Sequence, residues 1–188
     1  MRKIETLCGS ITDCPTTTIV NAANSKLALG SGVSGAIRDA CGGKTFQEEC
    51  IEVVNDQAEG NLDLGRVAIT SGGTSQYKWI LHAATLDFSK GQYTSKDVVK
   101  KCMLNALIVA DEIAEDNDLA EFGIGVPLLG SDVGGLSIAE SCEAVCAGMK
   151  TFFRGNSESV INEIVFVHPK EDVVRQVQLI LDRHFVLR

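Results

Sequence analysis

Short apolar runs alternate along the chain with segments of three- and four-residue apolar periodicity, and this alternation excludes most architectures. Lys3 to Cys8 and Thr18 to Ala22 read as strands, the second rich in β-branched residues. Val33 to Cys41 reads as a short helix stopped by Gly42 and Gly43, and Thr45 to Asn55 as another. Val67 to Thr70 and Trp79 to Ala83 are predicted strands separated by the turn sequence SGGTSQ. From Ser95 onward, Val98, Val99, Cys102, Met103, Ala106, Leu107, Ala110 and Ile113 recur at helical spacing. Phe122 to Leu129 is a predicted buried strand, and Ser137 the N-cap of a helix reaching about Phe153. Ile164 to Val167 follows as a final strand, with an amphipathic helix from Lys170 to Phe185. Strands interleaved with helices predict the α/β class: a three-layer α/β/α sandwich around a central mixed, mostly parallel sheet.

At 188 residues and 45% hydrophobic composition one core is expected, so residues 1–188 are read as a single domain. No run approaches the roughly 18 apolar residues of a membrane span, and the opening MRKIETLCGS lacks a leader's apolar block. The seven cysteines form no C-x-x-C pair and read as buried hydrophobes in a reducing compartment, so a cytoplasmic location is expected. Cys142 and Cys146, four apart on a predicted helix, could share a metal, but core packing is the preferred reading; neither metal nor cofactor is expected. The net charge of -8 disfavours long nucleic acid as a partner. A small phosphate-bearing ligand stays compatible with it, because backbone amides and a helix N-terminus bind phosphate without basic side chains.

The segment IVNAANSKLALGSGVSGAIRDACGG, from Ile19 to Gly43, points to such a ligand. Gly30, Gly32 and Gly35 match the dinucleotide pattern G-x-G-x-x-G, but the context is wrong for it. NSKLAL separates strand from glycine, and the downstream acids Glu48, Glu49 and Glu52 fall on a predicted helix instead of a strand end. A Walker A loop fails as well, since no G-K-[ST] follows. Amides from Gly32 to Gly35, opening the helix that contains Val33, would still form a phosphate cradle. The other reading, a tight turn needing positive φ, remains open for this loop alone. A second glycine-rich junction, PLLGSDVGGL from Pro127 to Leu136, again lies between strand and helix. Two such junctions at one sheet edge can hold a diphosphate between them.

These residues resemble the macro domain, the ADP-ribose-binding α/β/α module. The resemblance is carried by Val20-Asn21-Ala22-Ala23-Asn24 with the Gly30 to Gly35 loop and Ala36-Ile37, and less specifically by Gly65 to Gly72, Trp79 to Ala83 and Pro127 to Leu136. It implies that ADP-ribose or an ADP-ribosylated protein is the partner. Asn24 would contact the distal ribose hydroxyls, and Asn21 would support the loop from beneath. Amides of Gly32, Val33, Ser34 and Gly35, with those of Ser131, Asp132, Val133, Gly134 and Gly135, would bind the diphosphate; Ala22 lines the same cleft. Turn capping is the alternative for both asparagines: the ribose role is preferred for Asn24, and both readings stay open for Asn21. His82 lies in a predicted buried strand and is read as a hydrogen-bonded core residue, not a base.

The resemblance also marks departures. The family's first loop usually reads G-D-I, its aspartate accepting from the adenine amino group, where this chain has Gly9-Ser10-Ile11. Adenine recognition then rests on Ser10 and the amide of Ile11, with Asp13 too far along to be assigned the role, and a ligand with a different base becomes an alternative. Hydrolases of the family carry an aspartate where this chain has Ser34, and serine is no base at neutral pH without a partner. Asp132 replaces a usual glycine: the preferred reading turns its side chain outward or onto the following helix, and the alternative makes it a replacement acid, with Asn24 as its catalytic companion. Gly134 stands where an aromatic often covers the distal ribose, which implies a more open end. Binding with hydrolysis of an ADP-ribosyl adduct, O-acetyl-ADP-ribose or ADP-ribose 1″-phosphate is the leading function, and a non-catalytic reader the alternative.

Overall fold

A computed structural model describes residues 2–91 and 93–185. Strands β1 (Lys3–Cys8), β2 (Thr18–Asn24), β3 (Val67–Ser71), β4 (Trp79–Leu86), β5 (Phe122–Val126) and β6 (Ile161–His168) form one sheet in the order β1-β6-β5-β2-β4-β3. Every neighbouring pair is parallel except β3 with β4. Helices α1 (Gly32–Cys41), α2 (Lys44–Ala58), α3 (Lys96–Asp116), α4 (Ile138–Gly155) and α5 (Glu171–His184) complete the predicted three layers.

Strand alternation divides the apolar side chains between two cores. Ile19, Ile80 and Val165 meet Ile37, Phe46, Cys50 and Val54 of α1 and α2 on one face. Val20, Leu81, Ile124 and Phe166 meet Met103, Leu107, Val145, Met149 and Val177 of α3, α4 and α5 on the other. Full burial of each large apolar side chain stabilises by ~1.5–3 kcal/mol, so both helical layers are bound firmly to the sheet.

Most differences from the sequence reading lie at strand ends. β2 runs on to Asn24, which puts both asparagines inside the strand, and β4 continues to Leu86. β5 stops at Val126 instead of Leu129, because Pro127 offers no N–H to a ladder. Ser95 caps α3, and Ser137 caps α4 as predicted, in a reciprocal capping box with Glu140. Six cysteines are buried, whereas Cys8, at the end of the edge strand β1, is exposed. No helix among the described residues is long and apolar enough to cross a membrane.

Two features of this topology set up the site. After β2 the chain enters α1 on one face, whereas after the adjacent β5 it enters α4 on the opposite face. The two connections diverge, leaving a crevice at the carboxyl ends of β2 and β5, where open α/β sheets bind ligands. Beneath it runs a buried polar thread. Asn21 Nδ2 donates to His82 Nδ1 at 3.0 Å, His82 Nε2 lies 2.9 Å from Thr70 Oγ1, and Thr70 Oγ1 donates to the carbonyl of Ser71. This polarity leaves the imidazole proton on Nε2, donated to Thr70. His82 is therefore the hydrogen-bonded core residue expected, and complete burial lowers its pKa to about 3.

Unfolded His82 takes a proton below about pH 6.5, whereas the folded residue resists protonation until about pH 3. Its contribution to stability is therefore present above pH 6.5 and lost as pH falls through that window, by ~1.4 kcal/mol per pH unit. Urea unfolding of wild type should lose about 2 kcal/mol more between pH 7 and pH 5 than His82→Gln does. Equal losses in the two proteins would show that the imidazole is not held neutral.

Candidate functional site

α1 begins without a side-chain cap. Ser31 occupies the N-cap in extended backbone, yet its hydroxyl bonds none of the helix amides. The first intrahelical bond runs from Gly35 N to Ser31 O at 3.2 Å, which leaves the N–H groups of Gly32, Val33 and Ser34 unspent among the described residues. Gly32 adopts φ +59°, a conformation natural to glycine. A Cβ on Gly35 would sit 2.7 Å from Gly30 O, so the loop closes on its helix only with glycine there. Two residues that the sequence reading missed fix the loop from the side. Arg38 Nη1 donates to the carbonyls of Leu29 and Gly30, while Gln47 accepts from Leu29 N and donates to Leu27 O. Position along α1 and α2 was their only sequence signal.

The second loop faces the first across the crevice. Asp132 Oδ2 lies 3.5 Å from where a Cβ on Gly32 would stand. Asp132 is exposed, as the preferred reading has it, but its carboxylate lies beside the glycine loop, and the start of α4 is capped by Ser137 instead. Among the described residues the N–H groups of Ser131, Asp132, Val133 and Gly134 make no bonds, but Gly135 N is spent on Asp132 O in a turn, so it drops out of the expected cradle. Gly134 needs correction too. A Cβ there would meet Gly130 O at 2.4 Å and Thr94 Cγ2 at 2.6 Å, pointing into the protein and not over a ligand. Val133, 57% exposed, is the large apolar side chain that this loop leaves in solvent.

The two asparagines behave differently. Asn24, half-buried at the end of β2, folds its amide onto the following turn: Nδ2 donates to Ala28 O at 2.7 Å, and Oδ1 accepts from Lys26 N and Ala28 N. The capping role holds in this structure, and one N–H of Asn24 is left for a ligand. Asn21 is fully buried and reaches no cleft. Its Oδ1 accepts from Ser34 Oγ at 2.8 Å, and the same hydroxyl lies 3.1 Å from Ala22 O. Ser34 therefore ties the first turn of α1 to the polar thread, turned away from any reacting group. Asn21 lies beneath the loop, one of the two readings left open for it.

In the connection after β1, Ser10 caps the 3-10 turn Ile11–Asp13. Ser10 Oγ accepts from Thr12 N, and Asp13 Oδ2 accepts from Ser10 N at 3.3 Å, so the carboxylate unassigned from sequence folds back beside Ser10. The amide of Ile11 makes no recorded bond. Asp87, just past β4, is a further buried acid that sequence reading missed. Hydrogen bonds from Ser89, with others from Asn61 and Lys90 N, hold its carboxyl below the usual carboxylate range against the opposing effect of burial. It caps the turn Phe88–Lys90, a structural duty.

The site thus comprises two clusters of free amides, one carboxylate between them and no basic side chain within either cluster. A family model described as the Macro domain matches residues 20–145. The macro domain-containing protein lmo2759 of Listeria monocytogenes is 31% identical over 159 residues, covering 85% of either chain. O-acetyl-ADP-ribose deacetylase 1 of Pantoea vagans is 33% identical over 111 residues, 59% of this chain and 63% of that one. The chain spans 28% of the length of a Thermotoga maritima protein to which it is 27% identical over 174 residues. A variant of the Oceanobacillus iheyensis macrodomain solved with ADPR superposes with a TM-score of 0.79 at 28% identity, covering 96% of this chain and 92% of that one. By sequence and by fold, the chain belongs to the macro domain family.

Proposed function

We propose that this protein recognises ADP-ribose, free or attached to another molecule, through the crevice between the two loops. The observation that carries this reading is the uncapped start of α1. A helix whose first three N–H groups face a cleft, opposite four more from a second loop, offers a diphosphate the donors and dipole that it requires. The resemblance to a macrodomain solved with ADPR supports the same ligand. The unspent N–H of Asn24 serves the distal ribose. At the base end, the amide of Ile11 and the carboxylate of Asp13 provide a donor and a charged acceptor, the latter making up for Ser10.

A second reading, hydrolysis of an ADP-ribosyl adduct or O-acetyl-ADP-ribose, is favoured by the direction of Asp132 and by the name of the Pantoea relative. Ser34 is committed to Asn21 and Ala22, which leaves Asp132 as the acid positioned to accept a proton from water. If Asp132 only lines the cleft, its charge opposes the diphosphate and the protein is a reader.

Calorimetry with ADP-ribose should detect binding to wild type, weakened at least about 100-fold in Gly32→Glu, where a strained backbone and a like charge meet the diphosphate. Retained affinity in that variant would displace the site. Asp132→Asn should bind ADP-ribose about fivefold more tightly, a gain of ~1 kcal/mol from relieved repulsion. On mono-ADP-ribosylated protein, the hydrolase reading expects release by wild type and a loss of at least ~100-fold in Asp132→Asn. No release by wild type over hours leaves recognition alone.

A further inference from the structure

We propose a second ligand site, for a small phosphate-bearing anion with a flat apolar face, in the cleft that α4 and α5 form with the start of β1. This cleft of about 510 Å³ is lined by Arg2, Ile4, Lys150, Phe153, Arg154, His184 and Phe185. Its size falls within the range of small-molecule sites. It lies at the carboxyl end of α4, whereas the amide crevice lies at the amino end, so the ~1.5 Å rise per residue separates Ser137 from Arg154 by about 25 Å. A ligand here would not overlap the first site.

Its chemistry is distinctive in a molecule of net charge -8, for among the described residues the lining holds three permanent cations and no carboxylate. Glu143, which meets the lining residue His184, is taken up by its Nε2. Lys150 Nζ donates to His184 Nδ1 and keeps two further N–H groups. Arg154 makes no recorded hydrogen bond or ion pair among the described residues and is exposed. Arg2 directs Nη2 at the carbonyls of Asn156 and Ser157, while its Nε is buried with no partner among the described residues, an unmatched donor of a kind native structures rarely keep.

The apolar walls favour a ring. Arg2 lies over the Phe153 ring at 4.1 Å and Lys150 over Phe185 at 5.6 Å, so each cation sits beside an aromatic surface. A phosphate among Arg2, Lys150 and Arg154 would receive charge-assisted bonds while its organic part lay along Phe153 and Phe185. Inorganic phosphate would satisfy the cations alone. That distinguishes this cleft from the amide crevice, where main-chain donors act without cations.

The test uses phenyl phosphate, titrated by calorimetry into protein saturated with ADP-ribose and, separately, into Gly32→Glu, whose first site is blocked. Binding is expected in both, with phenyl phosphate several-fold tighter than inorganic phosphate. Arg154→Glu, an exposed change with no recorded bond to break, should weaken it at least about tenfold and leave ADP-ribose affinity unchanged. Lys150→Gln should weaken it less, through the loss of one cation. The assignment is overturned if no heat appears, if Gly32→Glu abolishes it, or if Arg154→Glu leaves it intact while thermal unfolding shows the variant folded. Equal affinity for the two phosphates would overturn the role of the aromatic walls.

Discussion

Everything in the site depends on backbone N–H groups left unspent where two loops meet. A buried or half-buried donor without a partner is ordinarily avoided, and helices elsewhere in the chain show how: Ser95 and Ser137 turn their hydroxyls onto the amides that follow. Ser31 does not, and the start of α1 stays open toward Asp132. The rest of the fold keeps that opening in place. Parallel strands carry β2 and β5 side by side to one edge, and their helices leave toward opposite faces, so the two connections diverge there.

The openness is held by a buried network on the side away from the cleft. Ser34 anchors the first turn of α1 to Asn21, Asn21 to His82, and His82 to Thr70, spanning β2, β4 and β3 beneath the loop. Arg38 and Gln47 clamp the loop's carbonyls and amide from α1 and α2. Polar side chains thus fix the main chain from beneath, while the main chain faces the cleft. Ser34 has a structural duty at the start of α1, its hydroxyl turned onto Asn21 and Ala22.

Layer order, helix positions and the two glycine junctions were legible in the sequence because each has a local cause: apolar period, a capping serine, or glycines crowded before a helix. For Asn21 the resemblance offered a place beneath the loop, but turn capping stayed an equal alternative until the contact with Ser34 was seen. What could not be read depended on contacts across the chain. Asn24's amide turns onto Ala28, Asp132 turns toward Gly32, and Gly135 spends its N–H on Asp132; a side chain at position 134 would point into Gly130 and Thr94. Strand ends failed for a simpler reason. Apolar runs such as Leu128-Leu129 are buried in a loop as readily as in a strand, and Pro127 decides between them only through its missing N–H.

The most direct test of the amide cradle is to follow backbone N–H resonances while ADP-ribose is added. The account expects the largest shifts at Gly32, Val33, Ser34 and Ser131 to Gly134, with Gly35 and Gly135 moving much less because their protons are already bonded. Shifts concentrated away from both loops, or equally large at Gly35 and Gly135, would contradict it.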